Sequence, residues 1–220
     1  MYNYINIIYL LIIWFVGWGV YFTLEKRWLY FKNKPELTAV YFLTLAVLVF
    51  TYFEDLMPSN ILSAMPFFPV VILLVFYTIN HFYFILRKNF KEPVLLIEHH
   101  PRDSWLTANR KSLFITSGHI FFQQSIITLI ILNLNSLGFD LKSVILIFAI
   151  IFGAIHLPLI PIKGIPFTFM FTIAAILSAM LFPVFLLNFP GGILINYAIH
   201  WTFYVLITFF FWRYQDKIKT

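Results

Sequence analysis

Long apolar stretches separated by short polar punctuation run through the whole chain. Seven of them approach the roughly 20 residues that an α-helix needs to cross the hydrocarbon core of a bilayer. They fall at 4–24, 37–57, 67–86, 112–133, 141–158, 166–187 and 193–212. The first is too long, and lacks the basic leading region, for a cleaved signal peptide, so it is expected to be retained. The fifth is the shortest and runs into Leu157-Pro158, Pro161 and Pro166, residues that cannot continue a regular helix. Residues 58–69, with Pro58, Pro66 and Pro69, predict an external loop or a short interfacial helix. The longest connection, 87–111, contains Glu98-His99-His100-Pro101-Arg102-Asp103 and is expected at the membrane interface.

Composition removes the alternative of a water-soluble fold. Of the 220 residues 61% are hydrophobic and 11% charged, against about 45–50% and about 25% in soluble domains. The absence of cysteine excludes disulfides, thiolate nucleophiles and Cys-ligated metals. The formal charge of +6 is less informative than its placement. With seven spans, Lys26, Arg27, Lys32, Lys34, Arg87, Lys88, Lys91, Arg102, Arg110, Lys111, Lys163, Arg213, Lys217 and Lys219 share one side. Of the 15 basic residues only Lys142 falls on the other. The positive-inside rule then puts the C-terminus in the cytoplasm and the N-terminus outside. Basic loops of this kind are topology determinants and anionic-lipid contacts rather than a nucleic-acid site. The expectation is an all-α, polytopic membrane helix bundle with seven transmembrane helices. It divides into a three-helix region over 1–111 and a core over 112–220, with the lipid bilayer as its first partner.

Polar residues inside the spans narrow the chemistry. A charged or ionisable group in hydrocarbon costs about 2.5–3.5 kcal/mol on insertion scales, so such groups normally face the bundle interior. Span four carries Ser117, Gly118, His119, Gln123, Gln124, Ser125 and Thr128; span five His156; span seven Asn196, His200 and Tyr204; span three His81. His119, Gln123, Gln124 and Thr128 form one helical stripe, and Asn196, His200 and Tyr204 a second at steps of four. At 1.5 Å per residue, Gln123 lies about 16 Å and His200 roughly 19 Å from the cytoplasmic ends of their spans. These depths predict one cavity open toward the cytoplasm. His81, alone on its helix, is expected to hydrogen-bond a neighbouring helix.

Phe152-Gly153-Ala154-Ile155-His156 is an F-x-x-x-H element near the end of a span. Pro190-Gly191-Gly192-Ile193 precedes the next motif, Asn196-Tyr197-Ala198-Ile199-His200, inside the last span. About 33 residues before His156 stands Gln123-Gln124-Ser125-Ile126-Ile127-Thr128. Over residues 112–210 this order resembles the CAAX-protease and bacteriocin-processing (CPBP, or Abi) family of intramembrane endopeptidases. That family carries E-E-x-x-x-R, F-x-x-x-H and H-x-x-x-N motifs on separate helices. Here both Glu positions are Gln, the Arg position is Thr128, and Tyr204 stands where Asn is usual. The resemblance implies that Gln123 occupies the water-activating position, with His156 and His200 as its partners and Gln124 and Tyr204 at the remaining motif positions of the site. Phe152, Thr128 and Asn196 would line a substrate site. It also implies a bacterial or archaeal cell membrane and a membrane-associated or prenylated peptide as substrate.

A Gln amide keeps hydrogen-bonding capacity but cannot act as a general base, a function worth typically 10²–10⁴ in rate. Loss of the Arg accompanies loss of its acidic partner, as expected when an unpaired buried charge is costly. The expected function is therefore binding of membrane-associated peptides or proteins by a degenerate site. An active endopeptidase using His119, His156 and His200 is the alternative, and a small-solute transporter the third. His119, one turn before Gln123, would supply a base near neutral pH, or complete a three-His divalent metal site with an open position. Motifs of other intramembrane proteases are absent: there is no H-E-x-x-H and no Gly-x-Gly-Asp. Ser117-Gly118-His119 lacks the preceding glycine of a rhomboid serine site, and Glu98 with Arg102 reads as interfacial charge.

Overall fold

The computed structural model describes residues 4–27, 34–62, 65–99 and 104–214. Lys32, Lys217 and Lys219, and the His100 to Asp103 part of the interfacial loop including Arg102, lie outside the described residues. The described chain is all-α. Its seven long helices are α1 (Tyr4–Arg27), α2 (Pro35–Tyr52), α3 (Phe68–Asn89), α4 (Arg110–Ser136), α5 (Leu141–Ala154), α6 (Ile165–Asn188) and α7 (Gly192–Tyr214). Each, with α5 taken on to Leu159, is long and apolar enough to cross a membrane. The protein is an integral membrane helix bundle.

Two ends differ from the hydropathy pattern, each for a local reason. The second helix stops at Tyr52 instead of running to 57, and Glu54–Leu56 form a 3-10 turn. That turn keeps the Glu54 and Asp55 carboxylates exposed. The fifth helix stops at Ala154, and Leu157–Leu159 tighten into a 3-10 turn. Pro158 has no N–H to return to Ala154, and its ring disfavours helical backbone at Leu157. Residues 58–69 contain the short helix Ser59–Leu62 and the turn Met65–Phe67, as their prolines predicted. The 87–111 connection contains the short helix Val94–His99 and the turn Ser104–Thr107.

The hub is α4. Of its most apolar stretch 89% is buried, against 17–33% in the other six helices. Enclosed by protein rather than lipid, α4 carries Ser117, Gln123, Gln124, Ser125 and Thr128, all buried, and Gln124 reaches partners on α7. It starts at a capping box: Asn109 Oδ1 accepts from the Ser112 amide at 2.9 Å, and Ser112 Oγ accepts from the Asn109 amide at 3.3 Å. Two of the orphan N–H groups of the entry turn are satisfied in this way. After Ser136 the chain reverses through Gly138, whose φ of 90° lies in the left-handed region that glycine adopts without strain. Asp140 then caps α5, its Oδ1 accepting from the Ser143 amide at 2.9 Å. Hydrogen bonds to Ser143 hold the Asp140 carboxyl below the usual aspartate range.

The most extensive helix contact joins α2 to α4; next come α6 with α5 and α6 with α7. One continuous core links Trp14, Phe42, Phe122, Phe148, Phe152, Phe182, Tyr197 and Trp201. A smaller cluster of Leu96, Trp105, Leu106 and Phe211 fastens the Val94–His99 helix and the Ser104–Thr107 turn to the end of α7. There Trp212 Nε1 donates to the Leu106 carbonyl at 2.8 Å, and Arg87 donates to that of Thr107 at 3.4 Å. The ends of α3 and α7 and the entry to α4 therefore meet at one end of the bundle.

Candidate binding cavity

The end of α5 builds the first half of the site. As the helix tightens, the His156 amide bonds to Gly153, three residues back, at 3.2 Å. The Phe152 carbonyl thus loses its regular helical partner, one of the orphan acceptors of a helix C-terminus. The His156 ring turns back onto it, with Nδ1 at 2.7 Å from Phe152 O. A four-residue spacing from Phe to His is what allows this return. A carbonyl only accepts, so Nδ1 carries the proton and Nε2 of the neutral ring keeps its lone pair.

The second half comes from α4 and α7. Gln124 Nε2 lies 3.3 Å from the Asn196 carbonyl and 3.0 Å from His200 Nδ1. The carbonyl again only accepts, which orients the amide with its nitrogen toward both groups. The two amide hydrogens then serve Asn196 O and His200 Nδ1. His200 Nδ1 is an acceptor, and its proton sits on Nε2. Asn196 Nδ2 donates to the Phe182 carbonyl at 3.0 Å, locking α7 to α6. Tyr204, one turn after His200, stacks its ring on the imidazole with centroids 5.7 Å apart.

Between these halves lies a cavity of ≈ 40 Å³, room for roughly three water molecules. Gln123, Phe152, His156, His200 and Tyr204 line it. Phe171, Ala174, Ala175 and Ser178 of α6 and Phe203 and Ile207 of α7 complete the wall. No carboxylate or Lys/Arg side chain is among these lining residues. Trp105 packs behind two of these residues, its ring 5.9 Å from that of Phe171 and 6.3 Å from that of Tyr204.

Not every residue on the two polar stripes reaches this space. Gln124 stands behind His200 rather than on the wall. Thr128 and Asn196, expected to contact substrate, are fully buried and absent from the lining. His119 lies elsewhere, among Phe42, Trp18 and Tyr21, with ring centroids 4.4, 4.9 and 5.4 Å from its own. It is not part of the cavity, and among the described residues no three His, Asp or Glu are grouped to hold a metal. His81 is exposed on the outer face of α3 instead of packed against a neighbour. The small-residue run Ala174-Ala175-x-x-Ser178 was the missed signal, since small residues in an otherwise bulky span mark close approach or space.

No protein-family model matches the chain, and neither does any curated protein or any solved structure.

Proposed function

We propose that the protein binds membrane-associated peptides or proteins in this cavity, on a CPBP-like scaffold that lacks the family's hydrolytic carboxylates. One observation carries the reading. Gln123, His156, His200 and Tyr204, drawn from three separate helices, line one small space. That is the meeting that the spacing of the three motifs requires. The polar contacts offered by the wall are neutral, which suits recognition and provides no carboxylate base. The N-terminus is outside and the C-terminus cytoplasmic in this reading, so the cavity, near the basic end of the bundle, faces the cytoplasmic leaflet.

An endopeptidase is the second reading because of one feature: His156, on the cavity wall, keeps an unprotonated ring nitrogen that is itself a base. Purified full-length protein in nanodiscs, given a fluorogenic prenylated peptide, separates the two. The expected result is binding without cleavage in the natural chain. Gln123→Glu, with Gln124 left in place, is expected to raise cleavage at least about 10²-fold above the natural chain's background, the lower range of a restored general base. Cleavage by the natural chain that disappears in His156→Ala would overturn the binding reading in favour of the second.

A further inference from the structure

The two cavity imidazoles are the same chemical group held in opposite proton arrangements. His156 gives its Nδ1 proton to a carbonyl of its own helix end. His200 Nδ1 accepts a hydrogen bond from the Gln124 amide, whose orientation is set by the Asn196 carbonyl. Both Nδ1 atoms are engaged with protein, so the nitrogens left to a cavity occupant are the two Nε2 atoms. One is a lone pair and the other an N–H. An occupant that reaches both rings would thus meet one acceptor and one donor, on a wall that carries no Lys, Arg or carboxylate side chain.

Resting on the binding reading above, we propose that the cavity recognises a neutral amide, the peptide bond or a primary carboxamide, in preference to a carboxylate or an ammonium group. An amide N–H donates to His156 Nε2 while its carbonyl accepts from His200 Nε2–H. A carboxylate offers two acceptors and would face the His156 lone pair. An ammonium offers only donors and would face the His200 N–H. At ≈ 40 Å³ the space suits an amide-sized head and not a whole chain. An extended peptide inside a membrane needs such partners, because each unsatisfied backbone group there is costly. Gln124 acts as a positioning residue: it reaches the occupant only by fixing where the His200 proton sits.

The test uses full-length protein in nanodiscs with ¹⁵N-labelled histidine. His81→Gln, His99→Gln and His100→Gln simplify the spectrum, and His156→Gln and His200→Gln assign it. Proton placement is read from ¹⁵N shifts and couplings, expected on Nδ1 in His156 and on Nε2 in His200. The probes are 3-methylbutanamide, 3-methylbutanoate and 3-methylbutylamine, which share one carbon skeleton. The amide is expected to perturb both Nε2 signals at about tenfold lower concentration than either ion, the value of one well-made hydrogen bond. Gln124→Glu is expected to move the His200 proton to Nδ1 and to abolish that preference. Gln124→Leu, lacking the donor, should lose it too. Identical tautomers in the natural chain, or equal response to amide and carboxylate, would overturn the head-group proposal and leave a binding cavity. No response to any probe would overturn both it and the binding reading.

Discussion

A Cβ added to Gly118 would lie 2.9 Å from the Cα of Ala39, and one added to Gly192 would fall on the carbonyl oxygen of Phe185. In both cases the obstacle is backbone, which yields less readily than the tip of a side chain. Gly118→Ala is expected to lower stability by about 1–3 kcal/mol, the usual cost of overpacking, by pushing α2 away from α4. Gly19 on α1 has nothing within 4 Å of its would-be Cβ. Gly19→Ala should therefore hold or raise stability, by at most about 1 kcal/mol. Thermal unfolding in detergent compares the two. A melting point for Gly118→Ala equal to that of the natural chain would mean that the α2–α4 contact is looser than described. The same scale shows what spacing could and could not reveal. Gln123 and Gln124 are neighbours in sequence but 100° apart on a helix, so one faces the cavity and the other turns to His200. His119 shares a stripe with Gln123, yet each four-residue step drifts by about 40° and climbs 6 Å. On a helix enclosed as fully as α4, that is enough to change neighbours from α5 and α7 to α1 and α2.

At the scale of elements, the spans were legible because hydrocarbon imposes a length and a composition, but their ends were set by local chemistry. The α5 N-terminus is such a case. Asp140 accepts from the Ser143 hydroxyl and amide, and these hydrogen bonds hold its carboxyl below the ordinary aspartate range. A lowered folded-state value means that the charged form is favoured by folding. The contribution is complete above the unfolded aspartate value of about 3.9 and fades as the pH falls through the lower folded-state value. Asp140→Asn should thus be less stable than the natural chain at neutral pH, with the difference shrinking below about pH 4. Unfolding monitored by tryptophan fluorescence across that range checks it, and a difference independent of pH would refute it. The other end of α5 could be foreseen only in part. Pro158 announced a stop, but not that His156 would cap the carbonyl of Phe152 and so have its tautomer fixed.

At the scale of the molecule, the described basic residues other than Lys142 sort to one end because antiparallel helices alternate. Arg87 at the end of α3 and Trp212 at the end of α7 both bond to the 104–107 turn that precedes α4. Lys142, at the start of α5, belongs to the opposite end. A chain without cysteine makes the orientation directly measurable. An impermeant maleimide applied to intact cells is expected to label Lys142→Cys at once, and Lys88→Cys only after permeabilisation. Both positions are exposed. The reverse pattern would invert the orientation, and labelling of both would break the seven-span layout. The bundle and its count of crossings could be foreseen from hydropathy and charge alone. A shared space beside Gln123, His200 and Tyr204 could be expected from the polar stripes and their depth, whereas its α6 wall could not, because Ala174, Ala175 and Ser178 carry no chemistry to notice.

Trp105 rests against Phe171 and Tyr204, and its neighbour Leu106 is tied by a hydrogen bond to the same helix that carries His200. Displacing that indole would part it from both rings and load the Leu106 tether, so a disturbance of the 104–107 turn is passed to the helix that aims the second imidazole.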